Sequence, residues 1–384
     1  MKKVIPAISE RIGRAIEEQV FPGCVVGIVD ASGSRLVLPF GRYTYEPDAL
    51  EVREDTVYDV ASITKAIPVS CLALQLIEQK RVHLDDRLIE YLPEFNNPDR
   101  ESVLIRHLLS HTLHFGFPLS SLKNQSPERI MRAIFETPFK SRPGSVFSYS
   151  NATSILLGLV IERIYGESLD DAADRVFFEP LLMEKTTFHP LQRFERSEIV
   201  PTEIDNWRGG VVQGEVHDES AWTLLHAPKS EQKVIGTDND TEEDKRLTEG
   251  SPLVSTLPGT PGSAGLFSTA PDLLNFLHMF LNHGTWKGMR FFSDETIRDM
   301  STNRIESIGA CTGLGWELNQ PRYMGERCSQ RTIGKTGFTG CMCLCDMEKG
   351  FGIVLLSNYT YHGRKPDKET INEVRRDIAD ILFS

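Results

Sequence analysis

Apolar residues near the amino terminus recur at helical intervals: Ile8, Ile12, Ala15, Ile16 and Val20. That spacing predicts an amphipathic helix with one buried stripe. Two β-rich runs follow over 24–29 and 35–40, separated by the turn-forming cluster Ala31-Ser32-Gly33-Ser34. The far end mirrors this arrangement. Strand-like runs over 339–346 and 351–357 precede a helix carrying Ile371, Val374, Ile378 and Ile381 on one stripe. Neither end holds enough strands for a full sheet. The pattern therefore predicts one antiparallel sheet built from both termini and covered by the terminal helices.

Between the two ends the pattern turns helical. Residues 67–77 are apolar nearly all round, the mark of a buried helix. Further helices are predicted over 105–109, 126–135, 154–164, 169–177 and 271–281, the last entered by a proline after Ser268-Thr269. The fold class expected is α+β, with a mainly helical domain inserted into the sheet frame. Residues 1–62 and 256–384 would form the sheet domain and 63–255 the helical one. Within the latter, Asp238, Asp240, Glu242, Glu243 and Asp244 crowd a stretch over 227–252 with few apolar residues, which reads as a mobile surface loop.

Composition narrows the partners. With 40% hydrophobic and 25% charged residues the chain has the balance of a folded globular protein. A formal charge of -12 offers no basic footprint for nucleic acid or an anionic membrane surface, so a small molecule or short peptide is the expected ligand. No apolar run is read as long enough to span a bilayer. The basic start Met1-Lys2-Lys3 leads to too short an apolar stretch before Glu10 for a signal sequence, which points to the cytoplasm. Seven cysteines do not form a disulfide framework. Cys341, Cys343 and Cys345 alternate with Met342 and Leu344, so on a strand they share one face. They are expected to pack there as small hydrophobes rather than to bind a metal.

Three segments carry candidate chemistry. In Ala61-Ser62-Ile63-Thr64-Lys65, Ser62 starts the buried helix and Lys65 follows one turn later on the same face. A serine hydroxyl needs a nearby base, and a helix N-terminus adds a positive dipole end and free N–H groups for an oxyanion. Lys65 acts as a base only if burial or a neighbouring cation such as Lys335 lowers its pKa. Pro68, in the second turn, removes a bond to the Thr64 carbonyl and is expected to tilt Ser62. In Ser148-Tyr149-Ser150-Asn151, Tyr149 is able to pass a proton and Asn151 to bond a substrate carbonyl. The bland alternative is a buried tyrosine and an N-cap asparagine. In Gly334-Lys335-Thr336-Gly337-Phe338, entering a strand at the sheet edge, Lys335, Thr336 and Gly337 would bind a carboxylate or carbonyl. The Phe338 N–H would join that of Ser62 in an oxyanion hole.

Together these segments resemble the S-x-x-K, S-D-N and K-T-G signature of the penicillin-binding protein and β-lactamase superfamily. The middle element as Tyr-Ser-Asn is similar to its class C β-lactamase and D-alanyl-D-alanine carboxypeptidase branch. The resemblance covers roughly 21–358, through Leu84-Asp85-Asp86, the segment from Ile105 to Thr112, Val216-His217-Asp218 and Gly265-Leu266-Phe267-Ser268-Thr269. It implies a site in a cleft between a sheet domain and a helical domain, and a Ser62 acyl-enzyme formed on an ester, D-alanyl peptide or β-lactam. Many esterase-like members carry histidine in place of Lys335, so the lysine leans toward carboxylate recognition. His111-Thr112 is followed by Leu113-His114 instead of the family's Ser-Gly, so that loop is expected to differ in shape.

Rival readings have weaker support. His107 and His111 have a zinc-ligand spacing but no adjacent acid, so no metal and no cofactor is expected. A G-x-S-x-G elbow is absent, which argues against an α/β-hydrolase triad. His217 and Arg208, beside Asp218 and Trp207, are candidates to border the cleft and read the substrate. The alternative from a different class is a non-catalytic scaffold of the same fold, binding a partner through its acidic loop. Oligomeric state is not legible in the chain.

Overall fold

A computed structural model describes residues 1–117, 127–202, 262–363, 365 and 368–384. The acidic stretch over 227–252 lies outside the described residues.

The expected sheet forms from both termini. Its strands are β1 (Gly23–Asp30), β2 (Arg35–Gly41), β3 (Glu317–Leu318), β4 (Thr332–Thr336), β5 (Met342–Asp346) and β6 (Phe351–Ser357). They lie in the order β2-β1-β6-β5-β4-β3, antiparallel throughout. The central pair joins opposite ends of the chain, with Cys24 facing Ser357 and Val29 facing Gly352. One expectation is corrected. Lys335 and Thr336 lie on a strand of their own, and β3, which the hydrophobic pattern did not show, takes the edge beyond them.

Side chains alternate across the sheet because successive residues of a strand point to opposite faces. On one face Val26, Ile28, Met342, Leu344, Ile353 and Leu355 meet the stripes of α1 (Ile5–Glu17) and of the carboxy-terminal helix Glu369–Phe383, including Ile8, Ile12, Val374 and Ile378. On the other, Val25, Val29, Cys343, Cys345, Val354 and Leu356 join a core shared with the helical part of the chain. The three alternating cysteines thus share one buried face, and burial pushes their thiol pKa values up. Each fully buried aliphatic side chain contributes about 1.5–3 kcal/mol.

Helices Ile105–Leu109, Pro127–Glu136, Asn151–Tyr165 and Ala270–Leu281 occur where the periodicity put them, within a few residues. The helix predicted over 67–77 is different. It is a 3-10 turn Ala61–Lys65, a wide turn Ala66–Ser70, and an α-helix only from Cys71 to Glu78. The break falls at Ile67 (φ -114°, ψ 114°), because the residue before a proline is driven out of the α region. The 18-residue stretch Ala61–Glu78 is also, by length and composition, apolar enough to cross a membrane, contrary to the reading that no run was. Within this fold 78% of it is buried, as in a core segment.

Candidate active site

Ser62 sits at the junction of the sheet and the helices. The two-residue strand Tyr58–Asp59 pairs with Phe267–Ser268, and Val60 donates to the Leu266 carbonyl, so the chain enters the 3-10 turn held on one side. Ala61 takes φ +46°, a left-handed conformation that L residues rarely adopt. Two bonds fix it: its N–H reaches Asp59 Oδ1 at 2.8 Å, and its carbonyl accepts from Thr64 Oγ1 at 2.6 Å. A 3-10 turn eclipses residues three apart. Lys65 Nζ accordingly donates to Ser62 Oγ at 2.9 Å and also to the Ser263 carbonyl. The expected α-helical dipole behind Ser62 is not there, since the α-helix starts nine residues later. What the turn offers are first-turn N–H groups, which have no intrahelical acceptor.

Tyr149 arrives on the loop before Asn151–Tyr165. That loop is laid on the 111–112 segment by the bonds Ser148 N–H to His111 O (2.8 Å) and Gly144 N–H to Thr112 O (2.9 Å). Ser150 caps the helix through Ala152 N–H at 3.1 Å, so Asn151 is the first helical residue and not the cap the sequence allowed. Asn151 is half-buried there.

Lys335 reaches the same point from β4. Its ammonium lies 4.6 Å from the centre of the Tyr149 ring, and that of Lys65 lies 5.4 Å from it. Tyr149 is 45% exposed; desolvation around its hydroxyl would raise its pKa, but Lys335, then Lys65, and a hydrogen bond with Ser62 bring it down to about 8. Lys335 itself is bonded to Glu317 Oε1 at 2.6 Å, with only 2% of the lysine exposed.

Gly337 follows at the turn after β4. A Cβ there would stand 2.4 Å from the Val60 carbonyl oxygen, so no other residue allows this backbone to lie against the Ser62 turn. Thr339 Oγ1 donates to the Asp59 carbonyl at 2.7 Å, and buried Arg375 bonds the carbonyls of Gly337 (2.8 Å) and Cys341 (2.9 Å). Thr336 and Phe338 are half-buried on either side of Gly337.

The structure thus brings Ser62, Lys65, Tyr149, Lys335 and the 336–338 backbone together. Arg208 and His217 lie outside the described residues. Two neighbours were missed as site residues. Glu317 is on β3, which no periodicity marked. His111 lies 4.9 Å from the Tyr149 ring and bonds Thr153 Oγ1 at 2.7 Å. Burial, followed by Lys335 and Lys65, lowers its pKa to about 3, so it is neutral at ordinary pH. Its place in the His-Leu-Leu-Ser-His-Thr segment was the available signal.

The beta-lactamase family model matches residues 8–376. A putative D-alanyl-D-alanine carboxypeptidase of Escherichia coli (strain K12) is 29% identical over 324 residues, covering 79% of this chain and 69% of that protein. Among solved structures, EstCE1, a hydrolase with promiscuous acyltransferase activity, superposes with a TM-score of 0.72 at 19% identity, covering 100% of this chain and 99% of that one. Simvastatin synthase (LovD) from Aspergillus terreus gives 0.70 at 17% identity, covering 99% and 98%. At such identities the structural likeness shows the fold.

Proposed function

We propose, given that the chain belongs to the beta-lactamase family, that it is a serine acyl hydrolase working through a Ser62 acyl-enzyme. The carrying observation is the 2.9 Å bond from Lys65 to the Ser62 hydroxyl, with Tyr149 bonded to the same side chain. In acylation Ser62 Oγ attacks the carbonyl carbon and its proton passes to the Lys65 and Tyr149 pair. The N–H groups of Ser62 and Phe338 hold the oxyanion. The tetrahedral intermediate collapses, the leaving group departs with that proton, and water then releases the acid by the same route. In this reading Asn151 and Thr336 hydrogen-bond the substrate. The similarity to a putative carboxypeptidase supports acyl transfer, but esters, D-alanyl peptides and β-lactams all suit these parts.

A fluorophosphonate probe and a fluorescent penicillin test this reading. Labelling of the wild-type protein that disappears in Ser62→Ala supports it. Hydrolysis of p-nitrophenyl esters, a chromogenic cephalosporin or a D-Ala-D-Ala peptide that persists in Ser62→Ala refutes it.

A further inference from the structure

The proposed mechanism gives no role to the buried charge bonded to Lys335. Glu317 is held between Lys335, bonded to Oε1 at 2.6 Å, and Arg322, bonded to Oε2 at 3.2 Å. Only 3% of the Lys335 side chain and 14% of the Glu317 side chain are exposed. Burial would raise the glutamate pKa, but Lys335 and then Arg322 hold it at about 2, so it is ionised throughout the working range. The Lys335 ammonium therefore has two partners inside the fold, the Glu317 carboxylate and the face of Tyr149. A substrate carboxylate seeking Lys335 would meet a cation already neutralised by Glu317 and be repelled by that carboxylate in a desolvated setting, which is costly.

Two large ring side chains lie against His111 next to this site. Among the described residues, Phe147 and Tyr149, at 42% and 45% exposure, belong to the few large hydrophobic side chains open to solvent. They are bridged by the neutral His111 ring, which meets Phe147 edge-on at 6.4 Å and Tyr149 at 4.9 Å.

We propose that Glu317 determines the charge of the acyl donor. It supplies Lys335 with the negative charge that a substrate carboxylate would otherwise supply. The site therefore favours donors uncharged beside the reacting carbonyl, apolar esters foremost, over carboxylate-bearing peptides and lactams. This rests on Ser62 being the acylated nucleophile, and it reverses the lean that Lys335 suggested in the sequence. A competing cation among the described residues is Lys368, exposed at the start of the last helix with its ammonium 5.6 Å from the Phe338 ring centre.

Two chromogenic esters that differ by one carboxylate next to the scissile carbonyl supply the test. Wild-type kcat/KM favours the neutral ester by about tenfold or more, the worth of one charge-assisted hydrogen bond. Glu317→Gln preserves shape, removes the negative charge that neutralises the Lys335 ammonium and moves the ratio toward the charged ester by about tenfold. A wild-type preference for the charged ester overturns the proposal, and loss of that preference in Lys368→Ala would place the anchor at Lys368 instead. A ratio unmoved by Glu317→Gln also overturns it. The wild-type ratio decides the matter should Glu317→Gln fail to fold. Failure of the underlying mechanism looks different: turnover is absent, or survives in Ser62→Ala.

Discussion

The ammonium of Lys335 stands 4.6 Å from the centre of the Tyr149 ring, and a 2.6 Å bond to Glu317 Oε1 holds it there. With Lys65 also near, two cations face one phenol and stabilise its charged form. Geometry assembled from three distant segments thereby becomes a prediction about pH.

The phenol must be deprotonated to accept the Ser62 proton, so kcat/KM is expected to rise with pH and level off above about 8. In Lys335→Met the limb moves alkaline, toward the ordinary tyrosine value of about 10. His111, with a pKa near 3, contributes nothing to it. A pH–rate profile on a neutral ester reads the shift, and an identical limb in both proteins excludes Tyr149 as its source.

Tyr149→Phe removes the hydroxyl and leaves the ring packed on His111. Turnover is expected to fall by about 10² or more, the usual worth of a positioned acid or base. Stopped-flow acylation and steady-state hydrolysis show which step slows. Near-wild-type rates would take tyrosine out of the mechanism.

Gly337→Ala forces a methyl group onto the Val60 carbonyl. Overpacking of this kind costs about 1–3 kcal/mol. Because the strained turn carries Ser62, fluorophosphonate labelling should slow as well. Denaturant unfolding and labelling rate are measured together; no change in either contradicts the close packing of these two backbones.

Away from the cleft, burial raises the Glu162 pKa to about 8, against the bond it accepts from the Leu169 N–H at 2.9 Å. Its folded value lies above its unfolded value near 4.5, so the folded state binds more protons between them. Its contribution to stability is then lost as pH rises from about 4.5 through 8. Glu162→Gln keeps the acceptor oxygen and should flatten that fall. The variant melts higher than wild type at pH 8.5 and close to it at pH 4. Parallel melting curves across that range would show that Glu162 is not the titrating group.

How much of this was legible in the chain follows from the reach of each signal. Periodicity is local, so the amphipathic terminal helices, the strands over 24–29 and 351–357 and the cysteine alternation could be read directly. Ser62, Lys65, Tyr149 and Lys335 stood out because each lies in a short contiguous motif. Glu317 carried no such mark: its strand is two residues long, and it gains meaning only by pairing opposite Gly334, beside Lys335. The helix behind Ser62 was misjudged because composition reports burial, whereas Pro68 imposes a steric break that composition averages away. The sequence by itself determined which side chains are available for acyl transfer. Tertiary structure decided that Lys335 is already occupied and that the Tyr149 proton is loosened, because both are electrostatic effects between residues brought close only by the folded sheet.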